Sequence, residues 1–162
     1  MQQISDPEIV PILQALKRRR AGGEKLLVFR DRGRYRELHA EEINAYIKRA
    51  GGDEHSAKDF RTWNATVLAA VALAARRSDE PKSTKTSRGR AVKAAIETVA
   101  EYLGNTPAVC RAAYVDPRLI DRFHAGHTIA PVLERLPSGP DMADMRVRAR
   151  IERAVVDLLD GA

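Results

Sequence analysis

The 162 residues are 44% hydrophobic and 31% charged, a balance that excludes a disordered polar chain, and no apolar run approaches the roughly 20 residues of a membrane helix. Lys and Arg outnumber Asp and Glu by 28 to 22, leaving a net charge of +6 that suits polyanionic partners. A single cysteine, Cys110, excludes an internal disulfide or a multi-cysteine zinc site and fits a reducing cytoplasm, while aromatics at 5% leave the core to Ala, Leu, Val and Ile.

In chain order, Met-Gln-Gln-Ile-Ser-Asp-Pro lacks the basic-then-apolar pattern of an export signal. Ser5-Asp-Pro-Glu8 then reads as a capping box, with Ile9, Ile12, Leu13 and Leu16 at helical spacing up to about Arg20. Leu26 to Phe29 is a short strand, and Asp31-Arg-Gly-Arg34 a turn to a brief partner strand. His39 to Lys48 forms a helix closed by Gly51-Gly52. The next helix, Ala57 to Arg77, is the longest apolar one, with Phe60, Trp63, Val67, Val71 and Ala74 as its stripe. Ser78 to Gly89 is a polar, basic loop, followed by a helix from about Arg90 to Leu103.

At residue 104 the pattern turns sharply. Gly104 stops the helix, because glycine takes the left-handed conformation without a Cβ penalty. Thr106-Pro107 restarts one, the hydroxyl capping free N–H groups and Pro occupying the first helical position. Asn105 thus sits in a tight corner, and Tyr114 lies about two and a half turns further on. Asp116-Pro117 opens another helix to about Ala125-Gly126, Thr128 to Leu136 holds a short one, and a final amphipathic helix runs from Pro140-Asp141 through Leu159. The fold class is mainly α, with at most one small β element near the N-terminus.

Two stretches carry chemistry. In Lys58-Asp-Phe-Arg-Thr-Trp63, Arg61 is the sole charged residue between Phe60 and Ala75. Taken alone, such an arginine pairs with a nearby acid or extends its head to water; as a functional group it is an anion clamp, its planar fork matching two phosphate oxygens. Tyr114, taken alone, is a half-buried aromatic, but a tyrosine can also act as a covalent nucleophile. A phenol with a pKa ordinarily near 10 needs an electropositive surround to attack phosphorus. Asn105 offers an amide N–H to a phosphate oxygen without carrying charge. From Arg76 to Lys93, seven basic residues stand against two acidic ones, and Lys17 to Arg20 is a second basic cluster; each is either a polyanion contact or a solvated surface. His124 and His127 could touch one ion but lack a third ligand, and Cys110 reads as a small packed side chain.

The string Ser56-Ala-Lys-Asp-Phe-Arg-Thr-Trp63, followed about forty residues later by Tyr102-Leu-Gly-Asn-Thr-Pro-Ala-Val-Cys-Arg-Ala-Ala-Tyr114-Val-Asp-Pro117, closely resembles the catalytic domain of bacterial type IB DNA topoisomerases. These are relatives of the poxvirus enzyme and share a helical catalytic fold with tyrosine recombinases. The resemblance implies that Tyr114 attacks a DNA phosphate to give a 3′-phosphotyrosyl bond. It implies that Arg61 and Asn105 stabilise the transferring phosphate, and that supercoils relax without metal, nucleotide or other cofactor. Double-stranded DNA is the implied partner, contacted by Lys58, Lys82, Lys85, Arg88, Arg90 and Arg111 in a salt-sensitive manner. Cytoplasmic, nucleoid-associated placement and no membrane contact follow.

Residues 1–126 correspond to the C-terminal part of that catalytic domain, and residues 127–162 to a divergent helical tail. The family's further catalytic arginine, its general-acid lysine and its N-terminal clamp have no counterpart, since Lys17, Lys25 and Lys48 all lie in other contexts. The expectation is an incomplete topoisomerase, weak or inactive alone, with a separate chain as one source of the missing half. Without the acid, cleavage should slow by roughly 10²–10⁴-fold. The alternatives are a tyrosine recombinase fragment, disfavoured by Phe60-Arg61-Thr62 and Asn105 where those enzymes usually carry histidine, and a non-catalytic basic DNA-binding module.

Overall fold

The computed structural model describes residues 6–77, 84–137 and 139–161. The protein is mainly helical, with eight helices and one two-stranded sheet among the described residues. It divides into two compact units, Met1–Asp59 and Phe60–Ala162.

In the first unit, α1 (Ile9–Arg18) is capped by the Asp6 carboxylate, which accepts from the N–H groups of Glu8 and Ile9 at 2.9 and 3.1 Å. Ser5 of the expected capping box lies outside the described residues. The helix stops at Arg18 rather than Arg20 because Arg19 is extended (ψ 147°) and turns its guanidinium back onto the chain. That group donates to the carbonyls of Leu16, Gly23, Lys25 and Leu26, so one side chain organises the whole connection. Strands β1 (Val28–Asp31) and β2 (Arg34–Glu37) pair antiparallel, two residues later than the sequence pattern places the first strand. Arg32 and Gly33 make the two-residue turn with φ of 47° and 84°, the positive values that match a hairpin's right-handed twist. Helix α2 (Ala40–Gly51) starts where Glu42 reaches back to the His39 N–H at 3.0 Å. Only Val28 is buried among this unit's described apolar side chains.

Helix α3 (Ala57–Arg77) starts at the division between the units, its first free N–H taken by Asn44 at 3.0 Å. In the second unit its buried face is Ala65, Thr66, Val67, Ala69, Ala70, Leu73 and Ala74. Phe60, expected to head this stripe, is 59% exposed, because the inward face is set by alanines that allow close helix approach. Helix α4 (Lys85–Leu103) packs Val92, Ile96, Val99 and Leu103 into the same core. It begins five residues earlier than expected: the Thr84 hydroxyl accepts from Ser87 N at 3.1 Å, and Thr84 caps a helix that already contains Lys85, Arg88 and Arg90. Those cations are therefore helical rather than part of a basic loop, and Lys82 lies outside the described residues.

Helices α5 (Pro107–Ala113), α6 (Pro117–His124) and α7 (Ala130–Leu133) follow through tight connections. Helix α8 (Met145–Asp160) opens on Asp144, whose carboxylate accepts from two N–H groups, rather than on Pro140-Asp141. It buries Ile151, Val155 and Leu159 in the shared core, and Arg148 joins it to α3 through Asn64 Oδ1 at 2.9 Å. Phe123 is the lone aromatic side chain among the described buried residues, so aliphatic and alanine packing carries the interior.

Candidate active site

The corner after α4 is a Schellman motif. Gly104 adopts φ 67°, ψ 36°, its N–H donates to Glu101 O at 3.2 Å, and Asn105 N–H donates to Ala100 O at 2.9 Å. Thr106 then accepts from Val109 N at 3.3 Å and Pro107 takes the first helical position, as the sequence pattern predicts. Helix α5 is so short that Tyr114 is its C-terminal cap, with φ −127° and ψ −24°, rather than a residue inside it.

Arg61 reaches this corner from α3. Its Nη2 donates to Leu103 O at 2.7 Å, neutralising a carbonyl that the end of α4 leaves unpaired. Its guanidinium carbon lies 5.0 Å from the centroid of the half-buried Tyr114 ring. So the cation sits beside the phenol and against the backbone two residues before Asn105. Two donors here are buried without a protein partner: Arg61 Nε and Asn105 Nδ2. A buried N–H with nothing to bond is costly, and the Nε groups of Arg19 and Arg88 stand unpaired in the same way. Tyr114, Arg61 and Asn105 are thus brought to one place.

Thr66 and Asp116 complete the surroundings, and neither was singled out from sequence. The Thr66 hydroxyl, 1% exposed as a residue, accepts from Asp116 N at 3.0 Å and faces the carbonyls of Thr62 at 2.9 Å and Tyr114 at 3.4 Å. A hydroxyl within an otherwise apolar stretch, Ala65 to Ala75, was the available signal. Asp116 caps α6 through Arg118 N and holds the Arg118 guanidinium in a fork, with contacts of 2.8 to 3.2 Å.

Arg118's hydrogen bonds hold the Asp116 carboxyl below the ordinary aspartate value, against a smaller opposing effect of burial. A depressed folded-state pKa contributes stability above the unfolded value, about 3.9, and that contribution disappears as pH falls through the folded value. Thermal midpoints of wild type and Asp116→Asn should therefore differ at neutral pH and converge below about pH 4. A difference that stays constant with pH would remove the ion pair from the account.

Cys110 is fully buried on α5, and burial raises its thiol pKa, partly opposed by the nearby Arg61 charge. Alkylation followed by mass spectrometry should leave Cys110 unmodified in the native chain under conditions that label it completely in denaturant. Rapid native labelling would mean that α5 opens readily.

The remaining cations fall into two kinds. Lys85, Arg90 and Arg111 are exposed on α4 and α5, and Lys58 is exposed in the first unit. Arg88 is half-buried and donates through Nη1 to His124 O at 2.7 Å, at the end of α6, so it also serves the fold. His124 and His127 are exposed, and no group of three or more His, Cys, Asp or Glu suited to a metal occurs among the described residues. A concavity of about 1050 Å³ lies between Gly126–Arg135 and α8, and its lining includes none of Tyr114, Arg61 and Asn105.

Residues 3–124 match the family model of the eukaryotic DNA topoisomerase I catalytic core, a span that contains Arg61, Asn105 and Tyr114. The chain belongs to the DNA topoisomerase I family. No curated protein matches it at a significant level. Family membership makes DNA the substrate class and strand breakage with rejoining the reaction class. The matched span ends at the last residue of α6, so α7 and α8 lie beyond it although α8 packs into the same core. No described helix of this topoisomerase I core is long and apolar enough to cross a membrane.

Proposed function

We propose that the chain performs the transesterification of a type IB topoisomerase of the bacterial and poxvirus-like kind, with Tyr114 as nucleophile. The Tyr114 oxygen, its phenolic proton passing to water, attacks a backbone phosphorus, forming a 3′-phosphotyrosyl bond while the bond to the 5′-oxygen breaks. That oxygen leaves with a proton from a general acid, the duplex rotates, and the 5′-hydroxyl re-attacks to restore the strand and the free tyrosine. The phosphodiester energy is conserved in the protein–DNA bond, so the cycle requires no ATP. Arg61 and Asn105 offset the charge that develops on the phosphate oxygens, which is electrostatic positioning in place of metal chemistry.

The observation that carries this reading is the pair of buried, unpartnered donors, Arg61 Nε and Asn105 Nδ2, at the corner where the Arg61 guanidinium lies beside the Tyr114 ring. Arg19 and Arg88 also leave Nε unpaired, so what sets Arg61 apart is its place beside the Tyr114 ring and the Asn105 corner. Lys58, Lys82, Lys85, Arg90 and Arg111 contribute backbone contacts, with Arg88 in a lesser part. The general acid is assigned to none of Lys17, Lys25 and Lys48, which lie in other sequence contexts. Lys25, the lysine beside the hairpin, forms an exposed ion pair with Glu37 at 2.9 Å.

The test uses a duplex carrying a 5′-bridging phosphorothiolate, whose sulfur leaves without protonation. Covalent protein–DNA adduct from this chain alone, with little relaxation of ordinary supercoiled DNA, supports the reading. Binding with no adduct at any salt concentration would instead identify a non-catalytic DNA-binding module.

A further inference from the structure

We infer that Thr66 is a positioning residue for strand cleavage, fixing the Tyr114 backbone relative to the Arg61 helix through one buried hydroxyl. The inference rests on Tyr114 being the nucleophile. Thr66 is the one buried polar side chain among the described residues, in the otherwise apolar stretch of α3 from Ala65 to Ala75. Valine has the same shape and would fill that site without a polar group to satisfy, so the hydroxyl is explained by what it bonds.

Those bonds span the site. The oxygen accepts the Asp116 N–H at 3.0 Å, and its single proton is directed at Thr62 O at 2.9 Å, with Tyr114 O at 3.4 Å as a weaker second acceptor. Thr62 follows Arg61 directly in sequence. One atom therefore links the turn that carries the anion clamp to the backbone on both sides of Val115. The other backbone hydrogen bonds on that connection run to its own flanking helices: Tyr114 N and Val115 N both donate to Cys110 O of α5, at 3.0 and 3.1 Å, and Asp116 O accepts from Leu119 N of α6 at 3.1 Å. They set the segment against those helices, whereas Thr66 sets it against α3. Buried as it is, Thr66 has no access to DNA, so its removal should affect the chemical step and leave binding intact.

Removing the hydroxyl frees the Tyr114–Asp116 segment to shift, and displacement of a reacting group by about 1 Å can cost about 100-fold in rate. The experiment is single-turnover adduct formation on the phosphorothiolate duplex, with DNA affinity measured separately. Thr66→Val should slow adduct formation by about tenfold to 100-fold while affinity stays within about twofold, and Thr66→Ser should recover to within about threefold of wild type. Val67→Ala, a neighbouring core truncation on α3, controls for simple loss of stability and should change the rate by less than about twofold at a temperature where it remains folded. Should Thr66→Val not fold, Thr66→Ala, which leaves room for a water, is read in its place.

A wild-type rate in the hydroxyl-deleted variant overturns the inference, as does equal slowing by Val67→Ala or a loss confined to affinity. Absence of adduct from the wild-type chain overturns the nucleophile reading and this inference together. Normal wild-type adduct with an unaffected Thr66 variant overturns the inference alone.

Discussion

Tyr114→Phe should abolish the covalent adduct on the phosphorothiolate duplex while leaving duplex affinity within about threefold of wild type and the folded state intact. The substitution removes one oxygen and nothing else. The ring that lies 5.0 Å from the Arg61 guanidinium carbon is retained, and phenylalanine offers a cation nearly the same quadrupole as tyrosine. Tyr114's backbone bonds, its N–H to Cys110 O and its carbonyl near Thr66, do not involve the side chain. Stability should therefore move by no more than about 0.5 kcal/mol, the range of substitutions that break no buried contact. The measurement is denaturing gel electrophoresis of labelled duplex with each protein, beside circular dichroism melts. Adduct persisting in Tyr114→Phe would place the nucleophile elsewhere, and mapping the linked peptide would find it among Tyr35, Tyr46 and Tyr102.

The corner that delivers this tyrosine was legible in the sequence almost atom by atom. Glycine as a helix stop and Thr-Pro as a helix start are local backbone effects, and Gly104, Thr106 and Pro107 act as those rules require. The start of α4 was misplaced for an instructive reason. Lys85-Thr-Ser-Arg-Gly looks like a loop by composition, yet Thr84 caps it and the apolar face from Val92 onward extends the helix back through it. Helix propensity is weak beside tertiary packing, and the same holds for α8, where Asp144 rather than Pro140 sets the first turn. Phe60 was misread as core because aromatics weigh heavily in any apolar stripe, although the alanines two turns on are what bring the helices together.

The members of the proposed site come from sequence motifs, and their wiring comes from the structure. Arg61, Asn105 and Tyr114 could be named from two motifs more than forty residues apart in sequence. Nothing in those motifs told that Arg61 would spend one nitrogen on Leu103 O, or that Thr66 would hold the backbone around the tyrosine. Such bonds depend on how α3 crosses the α4–α5 corner, which no local pattern encodes. They also bear on the two readings of Arg61: one donor satisfies the fold, and under the proposed function Nε is the one left to meet the phosphate.

That division of labour makes Arg61 the second large-effect position. Arg61→Ala should slow adduct formation by about 10²- to 10³-fold, the usual cost of removing a preorganised donor aimed at developing charge. It should also lower stability by about 1–2 kcal/mol, since Leu103 O loses its partner at the end of α4. Arg61→Lys separates the two contributions. A lysine keeps the charge and can reach one acceptor, but an ammonium cannot cap Leu103 O and present a second, coplanar donor to a phosphate at once. Most of the stability should therefore return while the rate stays at least about tenfold below wild type. The measurement pairs thermal melts with single-turnover rates on the phosphorothiolate duplex, where leaving-group protonation is not needed and the clamp is read by itself. If Arg61→Lys restored both stability and rate, charge alone would suffice and the forked geometry at this corner would have no catalytic part.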